Sequence, residues 1–107
     1  MANDELRKSW KATEAFLLDA RVHFSHTAEV TCCEELREFS EFLGHNELEL
    51  ALDLLEVAFE KSAAESWRVL ELMAMAAANM GLVERQRRYD DQLSKARGRK
   101  YQTVLPT

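Results

Sequence analysis

Three histidines, His23, His26 and His45, and an adjacent pair of thiols, Cys32 and Cys33, hold the most versatile side-chain chemistry in this sequence. Between them they could supply a zinc site or a nucleophile with its base. Their spacing supports neither. No CxxC, HExxH or ExxH pair is present to set ligands one helical turn apart. Cys33 and His45 lie twelve positions apart, and Cys33 is placed on an apolar helix face, where a thiol acts as a small hydrophobe. There is no glycine-rich phosphate loop. Neither metal nor cofactor is expected, and the chain is read as non-enzymatic.

Carboxylates carry a stronger pattern. In GHNELELALDLLEVAFEKS, residues 44–62, Glu49, Asp53, Glu56 and Glu60 recur at helical spacing on one face, while nearly every other residue is apolar. Such a stripe is self-repulsive, by about 0.2 to 0.5 kcal/mol per adjacent pair, and no lysine or arginine is interleaved. From Ala28 to Glu60 there are ten acidic residues against one basic residue, Arg37. From Arg85 to Lys100 there are seven basic residues against Asp90 and Asp91, a polarity hidden by the overall net charge of −5. An acidic field of this kind attracts a basic partner and speeds association. The candidate partner-binding residues are Glu34, Glu38, Glu41, Glu47, Glu49, Asp53, Glu56 and Glu60. Reversing Asp53 and Glu56 to lysine is expected to abolish binding while the fold survives. The basic run invites a nucleic-acid reading, with Tyr89 and Tyr101 nearby, but a pI near 5.2 makes the chain a poor general binder of phosphate backbones.

These residues need helices to position them. One proline and three glycines leave little material for hairpins, and five periodic segments can be traced. The first runs from Asp4 to about Phe24 with Leu6, Trp10, Leu17, Ala20 and Phe24 on its buried face. SHTAEV breaks the pattern, and Thr31 with Glu34 resembles a capping box opening a second helix that ends near Leu43, with Cys33, Leu36, Phe39 or Ser40, and Leu43 inward and Gly44 closing it. Asn46 with Glu49 forms the next box, opening a third helix to about Lys61. That helix is apolar nearly all round and should be enclosed except along its acidic strip. Ser62 with Glu65 precedes a fourth, whose Ala74, Ala76, Ala77 and Ala78 permit close packing while Met73, Met75 and Met80 fill volume, and Gly81 terminates it. A fifth spans about Val83 to Arg97 with Gln86, Tyr89, Leu93 and Ala96 as its stripe. The expectation is an all-α, single-domain antiparallel array over residues 1–100, with Trp10, Phe24, Leu36, Leu55, Phe59, Trp67 and Leu70 in one core and a frayed tail at 101–107.

The N-terminal MANDELRKSWKATEAF is charged and amphipathic, so no secretory leader is expected, and the least polar run, Leu72 to Val83, is too short to span a bilayer. Adjacent cysteines do not readily pair with each other, and a cytoplasmic location follows from these readings.

FLGHNELELALDLLEVAFE, followed by the tryptophan-bearing helix ending AAANMGL, resembles the small all-helical immunity proteins of bacterial toxin–immunity systems. The matching positions are Phe42, Leu43, His45, Asn46, Glu47, Ala51, Leu54 and Leu55, then Trp67, Met80 and Gly81. The resemblance covers roughly residues 36–82 and implies a non-enzymatic inhibitor that sits on a cognate toxin, often a nuclease, whose basic groove would meet carboxylates. A competing reading is a helical-repeat adaptor, because Trp, Leu, Ala and Tyr recur through residues 66–96 as in tetratricopeptide hairpins, though a full repeat signature is lacking.

Overall fold

The computed structural model describes residues 4–62 and 66–105, and helices supply all the regular structure among them. There are six: α1 (Asp4–Val22), α2 (His26–Thr31), α3 (Cys33–Gly44), α4 (Leu48–Lys61), α5 (Trp67–Asn79) and α6 (Val83–Arg97). The chain is all-α, as its periodicity predicts. The additional helix is α2, formed where a break was expected. Ser25 accepts a hydrogen bond from the Ala28 amide at 3.0 Å and so caps it, while Arg21 ties back to Glu29 at 2.9 Å.

Thr31 therefore ends one helix and does not cap the next. Cys32 joins the two, donating its amide to Ala28 and accepting at its carbonyl from the Leu36 amide. The inward stripe of α3 then runs Cys32, Leu36, Phe39 and Leu43 at steps of four, three and four. Cys32 is buried and Cys33 exposed, correcting the thiol placement by one residue and 100° of helix.

The α3–α4 turn also differs from expectation. Gly44 stays helical and Asn46 takes the left-handed conformation, at φ 57°. The Asn46 amide donates to Leu43 and the Glu47 amide to Phe42, the two bonds of a Schellman closure. Asn46 thus ends α3 instead of capping α4, and no side chain caps the start of α4. Gly81 closes α5 as expected, at φ 75°, with the same pair of bonds from Gly81 to Ala78 and Leu82 to Ala77. Ser62 lies at the C-terminal end of α4 and Glu65 falls outside the described residues; the cap of α5 is Ser66, which accepts from the Arg68 amide.

Three antiparallel pairings build the domain: α1 on α5, α3 on α4 and α5 on α6, with α4 also meeting α1 and α5. Their directions are fixed at the ends. Asn79 at the end of α5 bonds Ser9 and Thr13 near the start of α1, and Lys61 at the end of α4 bonds Glu35 near the start of α3. The smallest principal extent is 19 Å, about two helix diameters. Ala74, Ala76 and Ala77 are fully buried on α5, where a small side chain lets a neighbouring helix come close.

Phe24, Leu36, Leu55, Phe59 and Leu70 are in the core as expected. Trp10 and Trp67 are not, at 38% and 50% exposed. Trp10 follows the buried line of α1, but near the helix N-terminus, where cover is incomplete. Trp67 is the first residue of α5. The tail is also docked as far as Thr103, which is buried. The Tyr101 amide donates to Ser94 Oγ at 2.8 Å, while the Thr103 amide and hydroxyl donate to the two oxygens of buried Asp90 at 3.1 and 2.5 Å.

Candidate partner-binding surface

On α4 the residues divide into three sides at 100° per step. Leu48, Ala51, Leu52, Leu55, Ala58 and Phe59 point into the core. Glu49, Asp53, Glu56 and Glu60 form the second side, as read from the sequence. Leu50, Leu54 and Val57 form the third.

The centre of the acidic side is covered by α6. Arg85 reaches Asp53 at 2.5 Å and Glu56 at 3.5 Å, while Arg88 bonds Glu56 with two nitrogens, each at 3.1 Å. Tyr89 donates its hydroxyl to Glu56 and accepts from Arg85 Nε at 2.8 Å. The Arg88 guanidinium also lies 5.3 Å from the centre of the Tyr89 ring. Burial works against the Glu56 charge, but the Tyr89 and Arg88 hydrogen bonds and the Arg85 charge outweigh it and hold the carboxyl below its ordinary range. Burial, then the bond to Glu56, pushes the Tyr89 hydroxyl well above the usual phenol range.

The eight candidate carboxylates therefore separate. Glu56, mostly withdrawn from water, ties α4 to α6, and half-exposed Asp53 shares Arg85 with it, so a lysine at either position would face Arg85 and Arg88 rather than open solvent. Glu34 and Glu41 flank Arg37, at 2.9 and 2.8 Å. Glu38, Glu47, Glu49 and Glu60 are exposed and make no salt bridge among the described residues. Sequence reasoning missed Arg85, Arg88 and Tyr89 as partners of the stripe. A signal existed, since Arg85 and Arg88 share the three-residue step of Asp53 and Glu56.

The enclosure expected of α4 is also incomplete on its third side. Leu50 is 44% exposed and Val57 46%, with partly buried Leu54 between them. Because Glu35 and Lys61 pin the antiparallel register, Glu38 and Phe42 of α3 flank this strip along one edge. Asp53 and Glu60 flank it along the other. The surface has an apolar centre with carboxylates at its edges.

The other chemistry read from the sequence is dispersed. Cys33 and His45 sit at opposite ends of α3, roughly 18 Å apart at 1.5 Å per residue. Among the described residues, no three His, Cys, Asp or Glu side chains group as a metal site. No described helix is long and apolar enough to cross a membrane. No family model, curated protein or solved structure matches the chain.

Proposed function

We propose that this protein is a non-enzymatic inhibitor of the immunity-protein kind, which occludes a basic surface of a protein toxin with the outer face of α3 and α4. The observation that carries the reading is the strip of exposed Leu50 and Val57 with partly buried Leu54 between them, edged by Glu38 on one side and by Asp53 and Glu60 on the other. An apolar centre supplies burial, and the glutamates supply steering and selection of a basic partner. Glu38 and Glu60 are the rim charges that matter most, being exposed and making no salt bridge among the described residues. Glu56 braces α4 through Arg85 and Arg88 of α6, and rim residue Asp53 shares Arg85 with it.

The adaptor reading has less support. A solenoid packs each hairpin only on its neighbours, whereas α1 here returns against α5 and closes the chain into a globule.

The test is co-expression with the product of the adjacent gene, followed by calorimetric titration of the purified pair at low and high salt. A one-to-one complex is expected, weakened about 100-fold or more by Glu38→Lys with Glu60→Lys and by Leu50→Asp. Absence of a complex, or one indifferent to all three substitutions, would overturn the proposal.

A further inference from the structure

A second recessed surface lies at the end of the bundle where α1 begins and α5 ends. A cavity of about 360 Å³ is lined there by Leu6, Trp10, Leu48, Met80 and Leu82, with Asn46, Glu49 and Asn79 among its polar groups. It lies beside a shallower apolar hollow formed by Leu82, Val83, Glu84 and Arg85, and Glu49 lines both. Trp10 is a large, partly exposed aromatic of the type that anchors protein contacts.

The polar lining has a direction. Asn79 donates its amide nitrogen to the Ser9 carbonyl and to Thr13 Oγ1, each at 2.8 Å. A carbonyl cannot donate, so the nitrogen must be the atom facing Ser9. Among the described residues the amide oxygen of Asn79 accepts no hydrogen bond, and Glu49 makes no salt bridge. Arg85, the one cation lining the hollow among the described residues, is committed to Asp53 and Glu56. The lining thus mixes apolar side chains, Leu6, Trp10, Leu48, Met80 and Leu82, with the acceptor groups of Asn79 and Glu49, so an occupant that matches it brings an apolar side chain together with N–H donors and positive charge.

We infer that this groove receives one aliphatic or aromatic side chain from a basic segment of the partner, whose neighbouring lysine or arginine and backbone amides donate to Glu49 and to the Asn79 oxygen. This rests on the inhibitor reading for the partner's existence, but it concerns a different face and different residues. It adds an anchor pocket at the bundle end to the patch on α3 and α4.

Trp10 makes the test direct. In a Trp67→Phe background Trp10 is the sole tryptophan, and its emission reports the groove. Three short peptides serve as probes: acetyl-Lys-Ile-Arg-Leu-Lys-amide, a version with glycine in place of Ile and Leu, and one with glutamate in place of Lys and Arg. The first is expected to shift Trp10 emission saturably and to perturb the Asn79 side-chain amide resonances, the other two to do neither. Glu49→Lys, an exposed change, should weaken the first peptide about tenfold or more, and Glu38→Lys should leave it unchanged. No response to the first peptide at millimolar concentration, or an equal response to all three, overturns the pocket. A Trp10 shift that depends on protein concentration alone would assign the groove to a second copy of the chain and also overturn it. A toxin complex that is lost in Glu38→Lys with Glu60→Lys but indifferent to Glu49→Lys would remove this inference and leave the inhibitor reading standing.

Discussion

Arg88 grips Glu56 at two points, one guanidinium nitrogen on each carboxylate oxygen at 3.1 Å, across 32 positions of sequence. This pair, with Arg85 and Tyr89 beside it, joins the acidic half of the chain to its basic end. The middle of the acidic run and the start of the basic run, which look like separate surfaces in the sequence, meet in one partly buried seam. A paired fork of this geometry is among the stronger side-chain contacts, and Arg85 and Glu56 are both mostly withdrawn from water.

Breaking the seam from either side should destabilise the protein. Glu56→Lys leaves two arginines facing a third cation, and a loss of about 2 to 3 kcal/mol is expected in urea denaturation. Glu38→Lys, on an open face, should change stability by less than about 0.5 kcal/mol. If Glu56→Lys unfolded at wild-type urea concentration, the structural role of the stripe would be wrong.

Acid should act through the same carboxylate. The Glu56 carboxyl is held below its usual value of 4.5 in the folded state, so its contribution is present above that pH and lost as pH falls through the lower folded value. Melting temperature should decline on acidification below about 4.5, and less steeply in Glu56→Gln, which has no proton to gain at that site. Parallel profiles for the two proteins would show that Glu56 contributes nothing to acid stability.

At high pH the sign is opposite. Tyr89 has a raised folded value, so its stabilisation is complete below the ordinary phenol value of 10 and is lost as pH rises beyond it. Ultraviolet titration should find Tyr89 protonated until the protein unfolds. Ionisation of both tyrosines near pH 10 in the folded state would contradict the buried bond to Glu56.

The tail offers a separate check. Truncation after Lys100 removes both donors that Thr103 presents to Asp90 together with the segment packed over that carboxylate, and leaves it the Gln86 amide at 3.4 Å and water. A loss of about 1 to 3 kcal/mol is expected, with faster hydrogen exchange in the last turns of α6. An unchanged melting temperature would mean that the clasp contributes nothing.

Thiol chemistry distinguishes two neighbours. Cys33 is exposed and Cys32 is buried, so a folded sample should titrate one thiol with a colorimetric reagent and a denatured sample two. Two fast thiols in the folded protein would undo the register of α3.

Much of this was legible before folding. The five helices with three-and-four periodicity were located to within a few residues, because an apolar stripe has only one way to be buried. The misplaced boundaries share a cause. Thr31, Asn46 and Ser62 are residue types that cap either end of a helix or bend a turn, and which role each takes depends on where the flanking helices pack. Half of the candidate surface was visible as exposed glutamates. Its apolar half, Leu50 and Val57, was hidden because an apolar residue on a hydrophobic helix reads as core until the neighbours of that helix are known.

By itself, the sequence determined the helical class, the stripes that face inward, and the opposition of an acidic centre to a basic end. Those follow from local spacing and charge, which no packing can alter. Only the tertiary structure decided that α6, packed on α5, sends Arg85 and Arg88 across to α4, so that Asp53 and Glu56 are paired within the molecule while Glu38, Glu49 and Glu60 make no salt bridge among the described residues. The physical reason is that charge is a property of residues, whereas its availability depends on which opposite charge folding brings within a few ångströms.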